Sequence, residues 1–317
     1  MTAPMINRLK LKSSSLVLLL LAGLGLSRCD TPKPLDPAAY DALYATPATI
    51  PAGPQRVYHL GHSLVGRDMP AMLAQLAGDG HSYESQLGWG ATLKSHWDPD
   101  VPVNGFETEN NHPRYRDARE ATASGDYDAL ILTEMVEIKD AIKYFQSADY
   151  LHRFAQAAMQ ANPDSRVYLY ETWHNLSDID GWLERIDRDL PEYWEGEILR
   201  RALAHDGMDR PIYLIPAGQV MARIVRKIET QPDGIEGLSN RQDLFSDDIH
   251  LNDLGAYIIA LTHFAVIYQR SPVGLPHELR KADGTAAQAP SAQAAAMMQR
   301  IVWDVVQSMP KTGLPQG

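Results

Sequence analysis

From residue 56 onward, short apolar runs alternate with longer stretches of helical period. The runs 56–60, 82–87, 128–132, 166–170 and 211–215 are each a few residues long and rich in Val, Ile, Leu and Tyr. Turn-forming residues precede several of them, as with Gly125-Asp126 and Asn162-Pro163-Asp164. That is the signature of buried strands. Between them, residues 69–77, 148–160, 182–204 and 253–268 read as helices. Strand and helix in strict alternation predict a parallel sheet covered on both faces. The expected architecture is a three-layer α/β/α sandwich with a central, mostly parallel five-stranded sheet of flavodoxin-like type. An Ala-rich stretch, 286–309, adds a C-terminal helix. The folded domain is expected to run from 55 to 310.

The pattern is different before residue 55. Arg8, Lys10 and Lys12 precede an apolar run of 11 residues, 16–26. This reads as a signal peptide over residues 1–29, since the run is too short for a relaxed membrane span. The only cysteine, Cys29, follows at once. The placement resembles a bacterial lipoprotein signal, with Arg28 departing from the small residue that pattern has there. Either Cys29 is lipidated and attaches the chain to a membrane, or the peptide is simply cleaved. Both imply export to the periplasm or envelope. Asp30 after Cys29 resembles an inner-membrane retention signal. Residues 30–54 carry six prolines and read as an extended tether with a short helix over 38–44.

Composition excludes some classes. A net charge of −11 argues against a nucleic-acid partner. One cysteine excludes an internal disulfide and a multi-cysteine metal site. His59 and His62 have a spacing metal sites use, but no carboxylate or cysteine cluster joins them. No metal or cofactor is expected.

Several chemistry-bearing residues fall at predicted strand ends, where sites collect in such sheets. Ser63 follows the first strand, and Gly88 and Gly90 follow the second. Thr133 and Glu134 follow the third, and Trp173, His174 and Asn175 the fourth. Asp247 and His250 precede the helix at 253–268, three residues apart. A serine hydrolase needs an imidazole base and a carboxylate on its other ring nitrogen, and one D-x-x-H turn supplies both. Ser63 is therefore the candidate nucleophile, His250 the base and Asp247 the acid, with Asp248 as the other choice of acid.

Taken together, Gly61-His62-Ser63-Leu64, Gly90-Ala91-Thr92, Asp247-x-x-His250 and the later Gly255 resemble the SGNH (GDSL-like) hydrolase family over about residues 55–270. His62 stands where the family's first block usually has Asp. The resemblance implies an esterase with an oxyanion hole from the backbone N–H groups of Ser63 and Gly90, Gly88 being the alternative to Gly90. It also implies a departure. The family's third block places an asparagine near the oxyanion, whereas here the third strand ends in Thr133-Glu134. An ionised Glu134 donates no hydrogen bond, so Thr133 and Asn175 are the nearest replacements.

The implied function is an exported serine esterase acting on an acyl ester, an acetyl ester above all, of a small molecule or a glycan. Trp89, Trp97, Trp173 and Trp182 are either sugar-stacking residues or core. Glu134, Thr133, Trp173 and Asn175 are the expected substrate contacts. The alternatives are a non-catalytic envelope polysaccharide binder, favoured by the altered third block, and a glycan O-acyltransferase using the same three residues.

Overall fold

Five apolar runs form strands because each has partners on both sides or a covered edge. They are β1 (Arg56–His62), β2 (Ser82–Gly88), β3 (Ala129–Leu132), β4 (Arg166–Glu171) and β5 (Tyr213–Pro216). The order is β2-β1-β3-β4-β5, and every pairing is parallel. All four residues of β3 are buried, as a central strand covered on both faces requires. The computed structural model describes residues 31–315. The expected leader, residues 1–29 with Cys29, lies outside the described residues.

The helices are α1 (Pro37–Ala42), α2 (Asp68–Ala77), α3 (Leu93–Trp97), α4 (Phe106–Asn110), α5 (Ala118–Ser124), α6 (Ile138–Phe145), α7 (Ser147–Ala161), α8 (Trp182–Asp189), α9 (Arg200–Ala202), α10 (Ala217–Thr230), α11 (Asp253–Tyr268) and α12 (Ala292–Ser308). One layer joins α2, α10, α11 and α12, while α3, α5 and α7 pack together in the other. Every residue of α11 from Leu254 to Tyr268 is buried. A helix apolar all round belongs in a core, and this one lies against α2, α12 and β5. The three-layer α/β/α sandwich with its flavodoxin-like strand order is thus observed, with the sheet wholly parallel.

Three features depart from the sequence reading. Helices α3, α4, α5, α6 and α10 were not expected, although α10 buries Val220, Met221, Ile224, Val225 and Ile228 on one face. The long helix expected over 182–204 is wound as a π-helix through Leu190–Leu199. The stretch 31–54 is not an extended spacer. Tyr40 and Tyr44 are buried, the Tyr44 hydroxyl donates to the Ile212 carbonyl at 2.6 Å, and Leu35 N donates to Arg200 O at 3.1 Å. The prolines fix the path of a strap that docks on the domain. No helix among the described residues is long and apolar enough to cross a membrane.

Candidate active site

Ser63 sits on a tight turn where β1 ends and α2 begins. Val65 N and Gly66 N both donate to the His62 carbonyl, at 2.9 and 3.5 Å. The buried His62 ring ties this turn down. Its Nδ1 accepts from Leu64 N at 3.3 Å, so its Nε2 carries the proton and donates to the Glu134 carbonyl at 2.8 Å. Burial pushes this imidazole down to about 4, so it is neutral at physiological pH. The residue that departs from the family's first block is a structural clamp. A second buried imidazole, His96 on α3, bonds the Gly61 carbonyl through Nε2 at 2.9 Å and the Gln86 amide through Nδ1 at 2.9 Å.

His250 and Asp247 arrive on the loop before α11. Phe245 and Leu251 bridge its base, and the Asn252 side chain caps the helix at Leu254 N and Gly255 N. Asp247 folds the loop around itself: Ile249 N and His250 N donate to its Oδ1 at 2.9 and 2.7 Å. Its Oδ2 takes the His250 Nδ1 proton at 2.7 Å. These donors, the His250 backbone N–H first, hold the carboxyl down at about 2. With Nδ1 donating, Nε2 is the acceptor, and the Ser63 hydroxyl lies 2.9 Å away. Ser63, His250 and Asp247 are thus brought into one hydrogen-bonded chain across 187 residues of sequence. Asp248 does not face His250. It takes Ser177 N at 3.0 Å and Ser177 Oγ at 2.6 Å.

Sequence comparison matches the chain to no protein-family model and to no curated protein. Among solved structures it is similar to a DUF4886 family protein from Bacteroides uniformis, at 15% identity over 79% of this chain and 94% of that one, with a TM-score of 0.47. It is also similar to a candidate GDSL-like lipase from Parabacteroides merdae, at 11% identity over 70% and 99%, TM-score 0.42. A third is the aryl esterase of M. smegmatis, at 12% identity over 68% and 99%, TM-score 0.34. The site parts follow one another in the order that the sequence resemblance implies: a serine turn after β1, a glycine loop after β2, and Asp247 and His250 on one turn before α11.

The glycine loop after β2 is open at Gly90. Gly90 has φ of +55° and is exposed. Among the described residues no acceptor engages the N–H of Gly90. Gly88 is buried against Val103 and serves packing. Trp89 between them is 53% exposed, its Nε1 donating to Glu109 at 2.7 Å. Trp173 and Trp182 are core, and Trp97 is half-buried.

The expected substrate contacts need correcting. Thr133, Glu134 and Trp173 are fully buried, so none is available to a bound molecule. Thr133 donates its hydroxyl to the Tyr170 carbonyl at 2.7 Å. Trp173 donates Nε1 to the Ile249 carbonyl at 2.9 Å, which steadies the Asp247–His250 loop. Glu134 points inward, and its Oε1 accepts Met135 N at 2.8 Å and Leu93 N at 3.3 Å. It braces the start of α3, just past the Gly90 loop. Burial pushes its carboxyl up to about 7. Asn175 alone of the four is exposed. Asn110 is spent on the Leu87 and Phe106 carbonyls. The roles of His62, His96 and Trp173 were missed because each is a long-range bond from a residue that sequence alone reads as core or turn. Among the described residues no group of three His, Cys, Asp or Glu side chains suits a metal.

Proposed function

We propose that the protein is a serine esterase that hydrolyses a small acyl ester, acetyl above all, on a carbohydrate. The observation that carries this reading is the Asp247–His250–Ser63 hydrogen-bond chain ending on a half-buried serine. His250 takes the Ser63 proton as Oγ attacks the ester carbonyl, then delivers that proton to the departing alcohol. Asp247 holds the tautomer and faces the imidazolium. Water, deprotonated by His250, releases the acid and restores Ser63. The N–H groups of Ser63 and Gly90 are the oxyanion donors.

Size favours a short acyl group. The cavity shared by Ser63 and His250 holds about 100 Å³, well below the roughly 300–1,000 Å³ usual for ligand pockets. The exposed Trp89 beside Gly90 offers a stacking face for a sugar. The leader at 1–29 supports export, and Cys29 is the candidate for lipidation.

The test is hydrolysis of an aryl acetate and an aryl octanoate by the purified chain beside Ser63→Ala. Acetate turnover that vanishes in the variant, with octanoate slow, is the expected result. Turnover untouched by the substitution refutes the nucleophile. An added sugar acceptor that diverts the acetyl group from water would reassign the reaction to acyl transfer. Radiolabelled fatty acid incorporated into the chain but not into Cys29→Ser is the expected outcome for the anchor.

A further inference from the structure

A larger cavity, of about 450 Å³, opens along the β2 edge of the sheet. It shares Arg67 and Asp68 with the cavity that holds Ser63 and His250. We infer that it is a subsite for an anionic sugar residue, carrying a carboxylate or a phosphate, on the alcohol side of the ester. The placement of the ester rests on the proposed esterase reading, whereas the anion site stands on its own geometry.

Three cations line the cavity: Arg67, Arg114 and Lys281. Among the described residues none of them is in an ion pair. Two acids, Asp68 and Asp283, share the lining with the three cations, and each is held in the wall. Asp68 Oδ1 accepts Ala282 N at 2.9 Å, and Asp283 Oδ1 accepts the N–H and hydroxyl of Thr285 at 2.8 and 2.6 Å. Both carboxylates therefore shape the 281–285 turn. The Arg67 guanidinium is steadied by the Thr108 carbonyl. The Arg114 guanidinium lies 4.9 Å from the centre of the Tyr83 ring. Stacking holds that planar fork ready for an oxyanion, with the aromatic edge of Tyr83 as part of the wall.

Size and distance fit a sugar unit removed from the ester. The cavity is within the usual range for small ligands and several times larger than the space beside Ser63. Ser85, also in its lining, is in register with His59, four residues before Ser63. At a strand rise of about 3.3 Å per residue this is on the order of 13 Å. The chain carries −11 overall, which repels anions at long range. Screening beyond about 8 Å in physiological salt leaves the local cations in control.

The experiment uses the full chain carrying Ser63→Ala, so that binding is read without turnover. It is titrated calorimetrically with trigalacturonate, galactose 6-phosphate and uncharged galactotriose. Expected is binding of at least one anionic probe, about tenfold tighter than the neutral trimer and weakened by added salt. Arg114→Gln with Lys281→Gln should lower that binding about tenfold or more, and Arg114→Lys, which keeps the charge but not the fork, by less. Which anion binds separates the carboxylate source from the phosphate source. Equal binding of the neutral trimer, no binding of either anion, or binding indifferent to the double substitution overturns the subsite. For placement, kcat/KM on O-acetylated oligogalacturonide over that on O-acetylated galactan should fall in the double variant with Ser63 restored. An unchanged ratio overturns the alcohol-side assignment. Anion binding by a chain that fails to hydrolyse any acetyl ester refutes the esterase reading alone.

Discussion

Asp247 and Asp248 are neighbours in sequence, yet one faces His250 and the other Ser177. Their separation sets the first prediction. Asp247→Asn should lower kcat about 10²–10⁴-fold by disturbing the His250 tautomer. Its exposure, with 54% of the side chain open to solvent, favours the lower end, because water partly replaces the carboxylate. Asp248→Asn should cost only a few-fold, since it loosens a loop contact. Steady-state kinetics on an aryl acetate separates the two. Glu134 gives the second prediction. Glu134→Gln keeps an oxygen for Met135 N and Leu93 N and should retain activity within a few-fold. Glu134→Ala strands two buried N–H groups, costing about 1–3 kcal/mol each, and should lower kcat by displacing the Gly90 loop. Buried Glu134 and Glu171 hold their protons up to about 7 and about 8, against an ordinary value near 4.5. The folded state thus binds protons more tightly than the unfolded one across that window. The stability this confers is full below about 4.5 and is lost as pH rises through 7 to 8. The lowered buried histidines, His62 among them, act in the opposite sense, so the effect is read as a difference: as pH rises from 5 to 8 the parent chain should lose melting temperature relative to Glu134→Gln.

At the scale of elements, what was legible followed chemistry that is local in sequence. The five strands were readable because both faces of the sheet are covered, so apolar runs appear unbroken. The acid–base turn was readable because Asp247 and His250 are three residues apart, and Ser63 because it ends a strand. The inward turn of Glu134 was not readable, since its partners Leu93 and Met135 meet it only when α3 is folded against β3. Trp173 belongs to this class too: nothing near it in sequence says that its indole reaches Ile249. Helix α10 was overlooked although its apolar spacing is regular, because it starts directly from β5 with no capping side chain to mark it. The Trp173–Ile249 bond yields a third prediction. Trp173→Phe keeps most of the packing but removes the donor to the part-buried Ile249 carbonyl, costing about 1 kcal/mol. Both kcat and melting temperature should fall, with KM for a short aryl ester little changed.

On the scale of the whole molecule, the strap at 31–54 changes what counts as the domain. Its tyrosines fill the region beside β5, where Tyr44 meets Tyr213 edge-on at 6.2 Å. Asp41 pairs with Lys311 near the other end of the chain. Tyr40→Ala should lose about 3–5 kcal/mol, the usual loss for a buried aromatic, visible as a clear drop in melting temperature. A chain begun at residue 55 should be less stable still.

That strap also bears on how the protein behaves in a crowded solution. The outer strands of a sheet are where chains recruit one another into aggregates. At one side, Ser85 of β2 is engaged by Arg114 and Arg116 through backbone hydrogen bonds. At the other, β5 is shielded by the strap and by the turn at Gly313, whose carbonyl takes Ala48 N at 2.9 Å. Trimming the proline-rich stretch as if it were a dispensable linker would uncover that border. Such a protein should precipitate or self-associate on concentration, even where a share of it still folds.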